Sequence, residues 1–253
     1  MTSASSGQSG SVLASPGAIL FDLDDTLYPE RMFVDGGFQA VATYLAPQVG
    51  RSAHELKRRL WELHARDGRG RLFDSLLAEH GVADDPDLVL ACLLAYRTHR
   101  VRLEPFGGVA ELLDTLRGSG IPTGIVSDGN AGVQYRKLVG LWPAGGRFDV
   151  IVLTDELGPA CAKPSPVPFR VACRLLGVEP ATAVYVGNDP RKDVSGARAA
   201  GLRTVRVGSR PDEGGSVDNP AQTHDDPDLV VGPIGSLLAR LADASTSHHA
   251  KVR

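Results

Sequence analysis

Residues 19–28 read ILFDLDDTLY, an apolar run that passes into three carboxylates within four positions. The segment 18–21 is short and apolar and follows Pro16-Gly17, which predicts a strand buried on both faces of a parallel sheet. Because open α/β sheets bind their ligands at the carboxyl ends of the strands, we expect this acidic cluster to face a crevice.

Two of these carboxylates, Asp22 and Asp24, are expected on the same side of the chain, since side chains alternate along a strand. Held this close, they repel each other unless a cation lies between them. An oxygen-only ligand set favours a hard ion such as Mg²⁺. Taken alone, the stretch would also suit an acidic turn or a helix cap.

The composition is that of an ordinary globular chain. It has 253 residues, 42% hydrophobic and 23% charged, which allows a full core in one or two domains. A formal net charge of -3 without a basic stripe argues against a nucleic-acid partner. Cys92, Cys161 and Cys173 lack CxxC spacing, which favours reduced thiols in a cytoplasmic protein over disulfides or a zinc site.

Three segments are expected to lie outside the packed fold. Residues 1–17 are rich in Ser and Gly and have no signal-peptide pattern, so we expect a disordered tail. Residues 209–228 should form a long loop, and 245–253 should fray. No apolar run approaches the ~20 residues that span a bilayer, so a soluble protein with no membrane partner is predicted.

An all-helical insert is predicted over residues 29–102. Apolar residues recur at helical spacing from Val34 to Leu45, and residues 52–55 read as a capping box that opens a second helix. Two further stretches of helical periodicity follow, around 72–77 and 88–96.

The rest of the chain, 18–28 and 103–244, alternates between strands and helices. This alternation predicts an α/β fold, a doubly wound parallel sheet interrupted by the helical insert. Ser165 is the candidate N-cap of a helix that begins at Pro166. The predicted strands are 18–21, 123–126, 149–152, 183–186, 204–207 and 229–231, and the helices lie near 107–117, 166–176, 191–200 and 234–242.

Three more polar signals follow predicted strands. Ser127-Asp128-Gly129 offers a hydroxyl and backbone N–H groups to phosphate oxygens. Lys163 offers a positive charge, and residues 187–193 form a second acidic cluster. Each signal has an ordinary alternative, namely a plain turn, a solvated lysine and a helix cap.

The joint order of these signals resembles the haloacid dehalogenase superfamily of aspartate-nucleophile hydrolases. The first motif is Asp22-Leu23-Asp24-Asp25-Thr26, followed by Ser127, Lys163 and the stretch 188–193. The resemblance spans residues 18–207. It implies a Rossmannoid core, and the insert resembles the helical class I cap of that family.

The resemblance implies a phosphomonoesterase acting on a small phosphorylated metabolite. Asp22 would attack phosphorus, and Asp24 would act as general acid and base, which requires its pKa to rise from about 3.9 toward the working pH. Lys163 would offset the charge of the phosphoryl group. Thr26 would fix the loop, and the phosphoryl oxygens would be bound by Ser127, Asp128 and Gly129.

The resemblance also implies Mg²⁺, held by the Asp22 carboxylate, the Asp24 backbone carbonyl and a group of the fourth motif. The family usually has Asp directly after Gly there, whereas this chain has Asn188 followed by Asp189. Either residue can be the ligand. We expect Asp189, directly or through water, because it restores the missing charge, with Asp193 orienting the ligands from further out.

Other functions stay open. The chain could be a phosphomutase of the same family, or a catalytically weak member that serves as a binding or regulatory module. True dehalogenases generally lack the second Asp, and receiver domains of two-component signalling are shorter and place the acceptor Asp on a later strand. Arg31, Phe33, Arg69 and Arg71 of the insert are candidates for recognising the leaving group, although such basic side chains are usually solvated.

Overall fold

The structure is a computed structural model that describes residues 12–82, 85–208 and 226–241. The chain divides into two compact units, one formed by Met1–Pro29 with Glu104–Arg253 and the other by Glu30–Leu103. The second unit lies within one residue of the insert expected at 29–102. Most of the expected loop 209–228 and the tail 245–253 lie outside the described residues.

Four helices form the second unit: α1 (Glu30–Val49), α2 (Ala53–Asp67), α3 (Leu72–Glu79) and α4 (Pro86–Thr98). The predicted capping box opens α2, because Ser52 Oγ accepts from the Glu55 amide and the Glu55 carboxylate accepts from the Ser52 amide. The unit has its own apolar core, which includes Phe38, Leu60, Leu76 and Cys92.

The first unit is built on six parallel strands, β1 (Ala18–Phe21), β2 (Thr123–Ser127), β3 (Val150–Leu153), β4 (Ala183–Gly187), β5 (Arg203–Val207) and β6 (Leu229–Val231). Their order is β3-β2-β1-β4-β5-β6, which confirms the doubly wound α/β core. β1, β2 and β4 are buried along their whole length, which for β1 is what its apolar run predicted. Ligands of such sheets bind where the strand order reverses, which is between β1 and β4.

Helices flank this sheet. They are α5 (Val109–Gly118), α6 (Ala131–Leu141), α7 (Thr154–Leu157), α8 (Val167–Leu176) and α9 (Ser195–Ala200), with further helical residues at 236–241. A π-helix over Pro190–Val194 leads from β4 into α9. Leu20 of β1 and Tyr185 of β4 share a buried apolar cluster with Phe169 of α8, which joins the helices to the sheet.

Several boundaries differ from prediction: most strand and helix ends shift by one or two residues, and the helix expected at 191–200 is the π-helix followed by α9. Helix α8 begins at Val167 with Pro166 at the cap, one residue later than expected, and Ser165 Oγ accepts from the Val167 amide at 3.4 Å. Of the segment 1–17 that was expected to be disordered, residues 1–11 lie outside the described residues, whereas within 12–17 Leu13 is buried and the Gly17 amide donates to the Thr182 carbonyl. Burial of an apolar side chain favours order at that point.

Candidate active site

Asp22 lies directly after β1, at the edge where the strand order reverses. Its amide donates to the Val186 carbonyl of β4 at 2.9 Å, which anchors the loop to the neighbouring strand. The carboxylate is buried. Oδ1 accepts from Lys163 Nζ at 2.6 Å, and Oδ2 accepts from Thr26 Oγ1 at 3.3 Å. Asp22 therefore keeps Oδ2 as its less engaged oxygen.

Lys163 is a buried cation between two carboxylates. Nζ donates to Asp22 Oδ1 at 2.6 Å and to Asp193 Oδ1 at 2.7 Å, and the Tyr185 hydroxyl lies 3.3 Å away. Asp193 reaches this position because Gly187 has no side chain, since a Cβ there would overlap the Asp193 carboxylate. The two carboxylates and one ammonium leave an excess of negative charge, which favours a further cation.

The charge states in this cluster depend on burial. Burial raises the pKa of Asp22 from its ordinary 3.8 to about 7; Lys163 opposes this effect, and Asp193 and Asp24 add to it. The pKa of Lys163 is held well above its ordinary value, because its neighbours, Asp22 first among them, outweigh the opposing effect of burial. Lys163 is therefore a permanent positive charge beside the carboxylate of Asp22.

Asp24 is fixed by three residues that the sequence analysis did not identify. Its Oδ1 accepts from the Tyr28 hydroxyl at 2.5 Å and from Lys137 Nζ at 2.7 Å. Its Oδ2 accepts from Lys137 Nζ at 2.8 Å and from Gln134 Nε2 at 2.9 Å.

The surroundings of Asp24 set its charge. Burial raises the pKa of this carboxyl, but the charge of Lys137 and the hydrogen bonds from Lys137, Tyr28 and Gln134 together hold the pKa below its ordinary value. The expectation that this pKa rises toward the working pH is therefore wrong for this arrangement. The reason is a lysine 113 positions away in sequence.

The second motif supplies a hydroxyl and an anchor. Ser127 ends β2 and is buried. The Asp128 carboxylate accepts from Thr154 Oγ1 at 2.9 Å and from the Lys163 amide at 3.0 Å, so it ties the loop that carries Lys163 to the end of β2. Gly129 has φ +107°, a conformation that favours glycine.

The fourth motif separates Asn188 from Asp189. Oδ1 of Asp189 accepts from the backbone amides of Arg191 and Lys192 at 2.8 and 3.1 Å, so this carboxylate caps the π-helix. Oδ1 of Asn188 instead accepts from Thr26 Oγ1 at 3.4 Å, beside the Asp22 loop. Capping engages Oδ1 of Asp189, whereas the expected role of Asp189 as a metal ligand, directly or through water, stays a prediction.

Oxygen atoms suited to a hard cation lie around the Thr26 hydroxyl. Asp22 Oδ2 is 3.3 Å and Asn188 Oδ1 is 3.4 Å from Thr26 Oγ1. Within residues 12–82, 85–208 and 226–241, no group of three or more His, Cys, Asp and Glu side chains is arranged to hold a metal ion. Mg²⁺ keeps several waters and needs only one or two protein carboxylates, so these oxygens fit Mg²⁺.

Gln134 and Lys137 could have been found from the sequence. With Leu138 and Leu141 they form the buried face of α6. A glutamine and a lysine are rare on such a face unless they are paired. Helix α6 follows β2, which carries the second motif. Polar residues on the apolar face of this helix therefore indicated that it contributes to the active site.

Two solved protein structures resemble this chain over most of its length. A 2-haloacid dehalogenase from Pseudomonas syringae shares 28% identity with a TM-score of 0.60, covering 89% of this chain and 98% of that one. A HAD phosphatase from Thermococcus onnurineus shares 26% identity with a TM-score of 0.57, covering 88% and 97%.

Sequence relatives include two phosphatases. A glyceraldehyde 3-phosphate phosphatase from Methanopyrus kandleri is 38% identical over 196 residues, 75% of this chain and 83% of the relative. A phosphoserine phosphatase from Thermus thermophilus is 30% identical over 262 residues, 89% of this chain and 98% of the relative. The family model for haloacid dehalogenase-like hydrolases matches residues 16–201. Because that match covers strands β1 to β4 and all four motifs, the chain belongs to the haloacid dehalogenase-like hydrolase family.

Proposed function

We propose that this protein is a Mg²⁺-dependent phosphomonoesterase that acts on a small phosphorylated metabolite through an aspartyl-phosphate. The observation that carries this proposal is a second carboxylate, Asp24, held beside the candidate nucleophile Asp22 by dedicated partners. An alkoxide leaving group needs such a proton donor. The phosphatase names of the sequence relatives support the same reaction.

The first half of the reaction transfers the phosphoryl group to the enzyme. The Asp22 carboxylate attacks phosphorus, the bond from phosphorus to the ester oxygen breaks, and the departing alkoxide takes a proton from Asp24. Lys163 offsets the charge that gathers on the phosphoryl oxygens. The Ser127 hydroxyl and the backbone amides after it donate to those oxygens.

The second half returns the enzyme to its starting state. Water attacks phosphorus, loses a proton to Asp24, and the bond from phosphorus to Asp22 breaks to release phosphate. Lys137 favours ionised Asp24, which is the form that accepts this proton. The proton that Asp24 takes from water balances the one that it gives to the leaving alkoxide. Mg²⁺, when bound, would neutralise phosphate charge in both halves.

The test of this function is release of inorganic phosphate in the presence of Mg²⁺. The panel contains glyceraldehyde 3-phosphate, phosphoserine, phosphoglycolate, sugar phosphates, nucleotides and p-nitrophenyl phosphate. We expect hydrolysis of at least one alkyl phosphate. Transfer of phosphate to a second hydroxyl without its release would show a phosphomutase, and no turnover on any compound would indicate a binding or regulatory member.

For the metal we propose Asp22, the Asp24 carbonyl and the Asn188 side-chain carbonyl as protein ligands. Support comes from Thr26, whose hydroxyl lies beside both side-chain oxygens. Asp193 would stay outside the ligand set, because its carboxylate already accepts from Lys163 and the Asp189 amide. A neutral amide oxygen suffices where substrate phosphate supplies further negative charge.

Substitution of Asn188 should change the dependence on Mg²⁺. Asn188→Ala removes a ligand, so the Mg²⁺ concentration for half-maximal activity should rise by about tenfold or more. Asn188→Asp adds charge and should lower it. The measurement is a Mg²⁺ titration of phosphatase activity, together with Mg²⁺ binding by calorimetry in the absence of substrate.

The matched control is Asp189→Asn. Asparagine caps helices about as well as aspartate, so this variant should keep its fold and shift the Mg²⁺ requirement by less than about threefold. A large shift in Asp189→Asn with none in Asn188→Ala would instead make Asp189 the ligand.

The helical unit contains a cavity of about 320 Å³ with a partly apolar and partly cationic lining. This volume is within the range of small-molecule sites. His64 lines it and has a buried Nε2 without a hydrogen-bond partner among the described residues. We propose that this cavity selects among substrates by the part that carries no phosphate. Its lining includes Phe38, Phe73, Tyr96, Arg69, Arg71 and Arg97.

Two of the four insert residues named from the sequence line this cavity, and two do not. Arg69 pairs with Glu30, and Arg71 lies 3.4 Å from Asp74. Arg31 lies over the Trp61 ring, and Phe33 is buried, so packing explains both of these side chains.

Loss of positive charge at the cavity should alter substrate preference. Arg71→Gln or Arg97→Gln should lower kcat/KM for phosphoglycolate and phosphoserine by about tenfold, since a charge-assisted hydrogen bond is lost. Hydrolysis of p-nitrophenyl phosphate should change by less than about twofold. Arg58→Gln, an exposed change on α2 outside the cavity, is the control. An equal loss on every substrate would rule out a selective role.

The three cysteines are free and at least partly shielded from solvent, which supports a cytoplasmic location as part of this proposal. Among the helices that the structure describes, none has the length and apolar character required to cross a bilayer.

A further inference from the structure

We propose that Gln134 and Lys137 of α6 are positioning residues that hold Asp24 and Ser127 in register with each other. This inference rests on the proposed phosphatase function. Both side chains are buried, and Gln134 contacts Asp24 and Ser127 at the same time. One helix therefore controls the geometry of the acid–base group and of a phosphate-binding hydroxyl.

Gln134 sets the direction of the Ser127 hydrogen bonds. Its Nε2 donates to Asp24 Oδ2 at 2.9 Å and to Ser127 Oγ at 2.7 Å. An ionised carboxylate can only accept, which identifies the atom facing Asp24 as nitrogen. Because Ser127 Oγ accepts from this nitrogen, its own hydrogen points elsewhere. The carbonyl of Asp128 at 3.4 Å is a long contact, so this hydrogen is available to a phosphoryl oxygen.

Lys137 sets the orientation of the Asp24 carboxylate. Its Nζ is 2.7 and 2.8 Å from the two Asp24 oxygens, and only 5% of its side chain is exposed. Tyr28 adds a hydrogen bond to Oδ1. With both oxygens engaged on one side, the carboxylate plane is fixed. Lys137 and Gln134 are three residues apart on a helix, so both side chains project from one face toward Asp24.

The joint arrangement explains why a lysine is buried at this position. An uncompensated buried ammonium is costly, and Asp24 compensates it. In return, Asp24 is kept at a defined distance from the phosphate-binding hydroxyl through a single amide group. Catalytic rates fall steeply when a reacting group moves by about 1 Å, so this connection should matter for proton transfer.

The first test compares two leaving groups in Lys137→Met. An alkyl phosphate needs a proton from Asp24, whereas p-nitrophenyl phosphate leaves readily without one. We expect kcat for the best alkyl phosphate of the panel to fall by about 10²-fold with KM within about threefold, and kcat for p-nitrophenyl phosphate to fall by less than about fivefold. Lys137→Arg, which can still donate to both oxygens, should recover at least about tenfold.

The matched control is Arg136→Met, which removes an equal charge from an exposed position of the same helix. In this variant, kcat for the alkyl phosphate and kcat for p-nitrophenyl phosphate should both stay within about twofold of the wild-type values. Equal losses on the two substrates in Lys137→Met, with an unchanged thermal unfolding midpoint, would overturn the positioning role. If Lys137→Met does not fold, Lys137→Arg is compared with wild type on the same two substrates. A wild-type enzyme that hydrolyses no alkyl phosphate would instead contradict the proposed function.

The second test needs no turnover, so it decides the Ser127 part of the inference in either case. Binding of inorganic phosphate is measured by calorimetry for Gln134→Met, Ser127→Ala and the double variant. Gln134→Met should weaken phosphate binding by about tenfold in the presence of Ser127 and have little effect in the Ser127→Ala background. Independent, additive losses would show that Gln134 does not act through Ser127.

Discussion

Asp22→Asn should lower phosphatase turnover by on the order of 10⁴-fold or more while the protein remains folded. An amide oxygen is a poor nucleophile toward phosphorus, so no aspartyl-phosphate can form. The side chain is nearly the same size as the carboxylate that it replaces. Its amide oxygen can still accept from Lys163 Nζ, and its NH2 group can donate to Thr26 Oγ1, so contacts to both partners of Asp22 are kept. The fold should therefore survive.

The loss should be specific to this position. Asp25→Asn makes the same chemical change on the same loop, at an exposed residue with φ +54°, a conformation that asparagine tolerates well. Activity of that control should stay within about threefold of wild type. Phosphate release and trapping of a phosphorylated enzyme are both measured for each of the two variants. Near wild-type turnover in Asp22→Asn would exclude covalent catalysis by Asp22.

Lys163→Met should have the second-largest effect, on both turnover and stability. Removal of the ammonium leaves Asp22 and Asp193 buried without their shared positive partner. Broken buried ion pairs cost about 3–5 kcal/mol of unfolding free energy. Turnover should be lost as well, because no fixed charge then offsets the phosphoryl group. Chemical denaturation in EDTA measures the stability of the metal-free protein.

The destabilisation of Lys163→Met should grow with pH. In the wild type, the pKa of Asp22 is raised from 3.8 to about 7, so its protonated form favours the fold. That contribution is fully present below the ordinary pKa and is lost as the pH rises toward 7. Without Lys163, which lowers this pKa, ionised Asp22 costs still more. The difference between variant and wild type should therefore be larger at pH 8 than at pH 5.

Two variants test this explanation. Lys192→Met removes a lysine at an exposed position near the site and should cost less than about 0.5 kcal/mol at either pH. Asp193→Asn in the Lys163→Met background removes one uncompensated charge and should restore part of the lost stability. A pH-independent loss that Asp193→Asn does not reduce would mean that packing of the lysine stem, not charge, is what Lys163 contributes.

The sheet and the positions of the four motifs could be predicted because they depend on local patterns. Asp22 and the stretch 188–193 directly follow buried strands, Ser127 ends β2, and Lys163 follows β3 after a loop. The parallel sheet then brings the strand ends together, so Asp22 and Lys163 meet although they are far apart in sequence. Such contacts can be predicted from the sequence when the order and direction of the strands are sufficient to bring the residues together.

Other parts of the site depend on contacts that no local pattern encodes. The sequence predicted a raised pKa for Asp24, but Lys137 and Gln134 reverse its direction from a helix more than a hundred residues away. The sequence allows Asp189 two roles, that of a metal ligand, which we expected, and that of a helix cap. The choice depends on whether the chain turns into a π-helix at Pro190, which the sequence pattern did not show.

The Asp128 carboxylate has a consequence for how this protein can vary. It accepts from Thr154 and from the Lys163 backbone, so the position of Lys163 is set by two short-range bonds and not by the eight residues between them. Most of the residues from 155 to 160 are exposed to solvent. Insertions or substitutions there can accumulate during evolution, or be engineered as an attachment point, without displacing the lysine from the nucleophile.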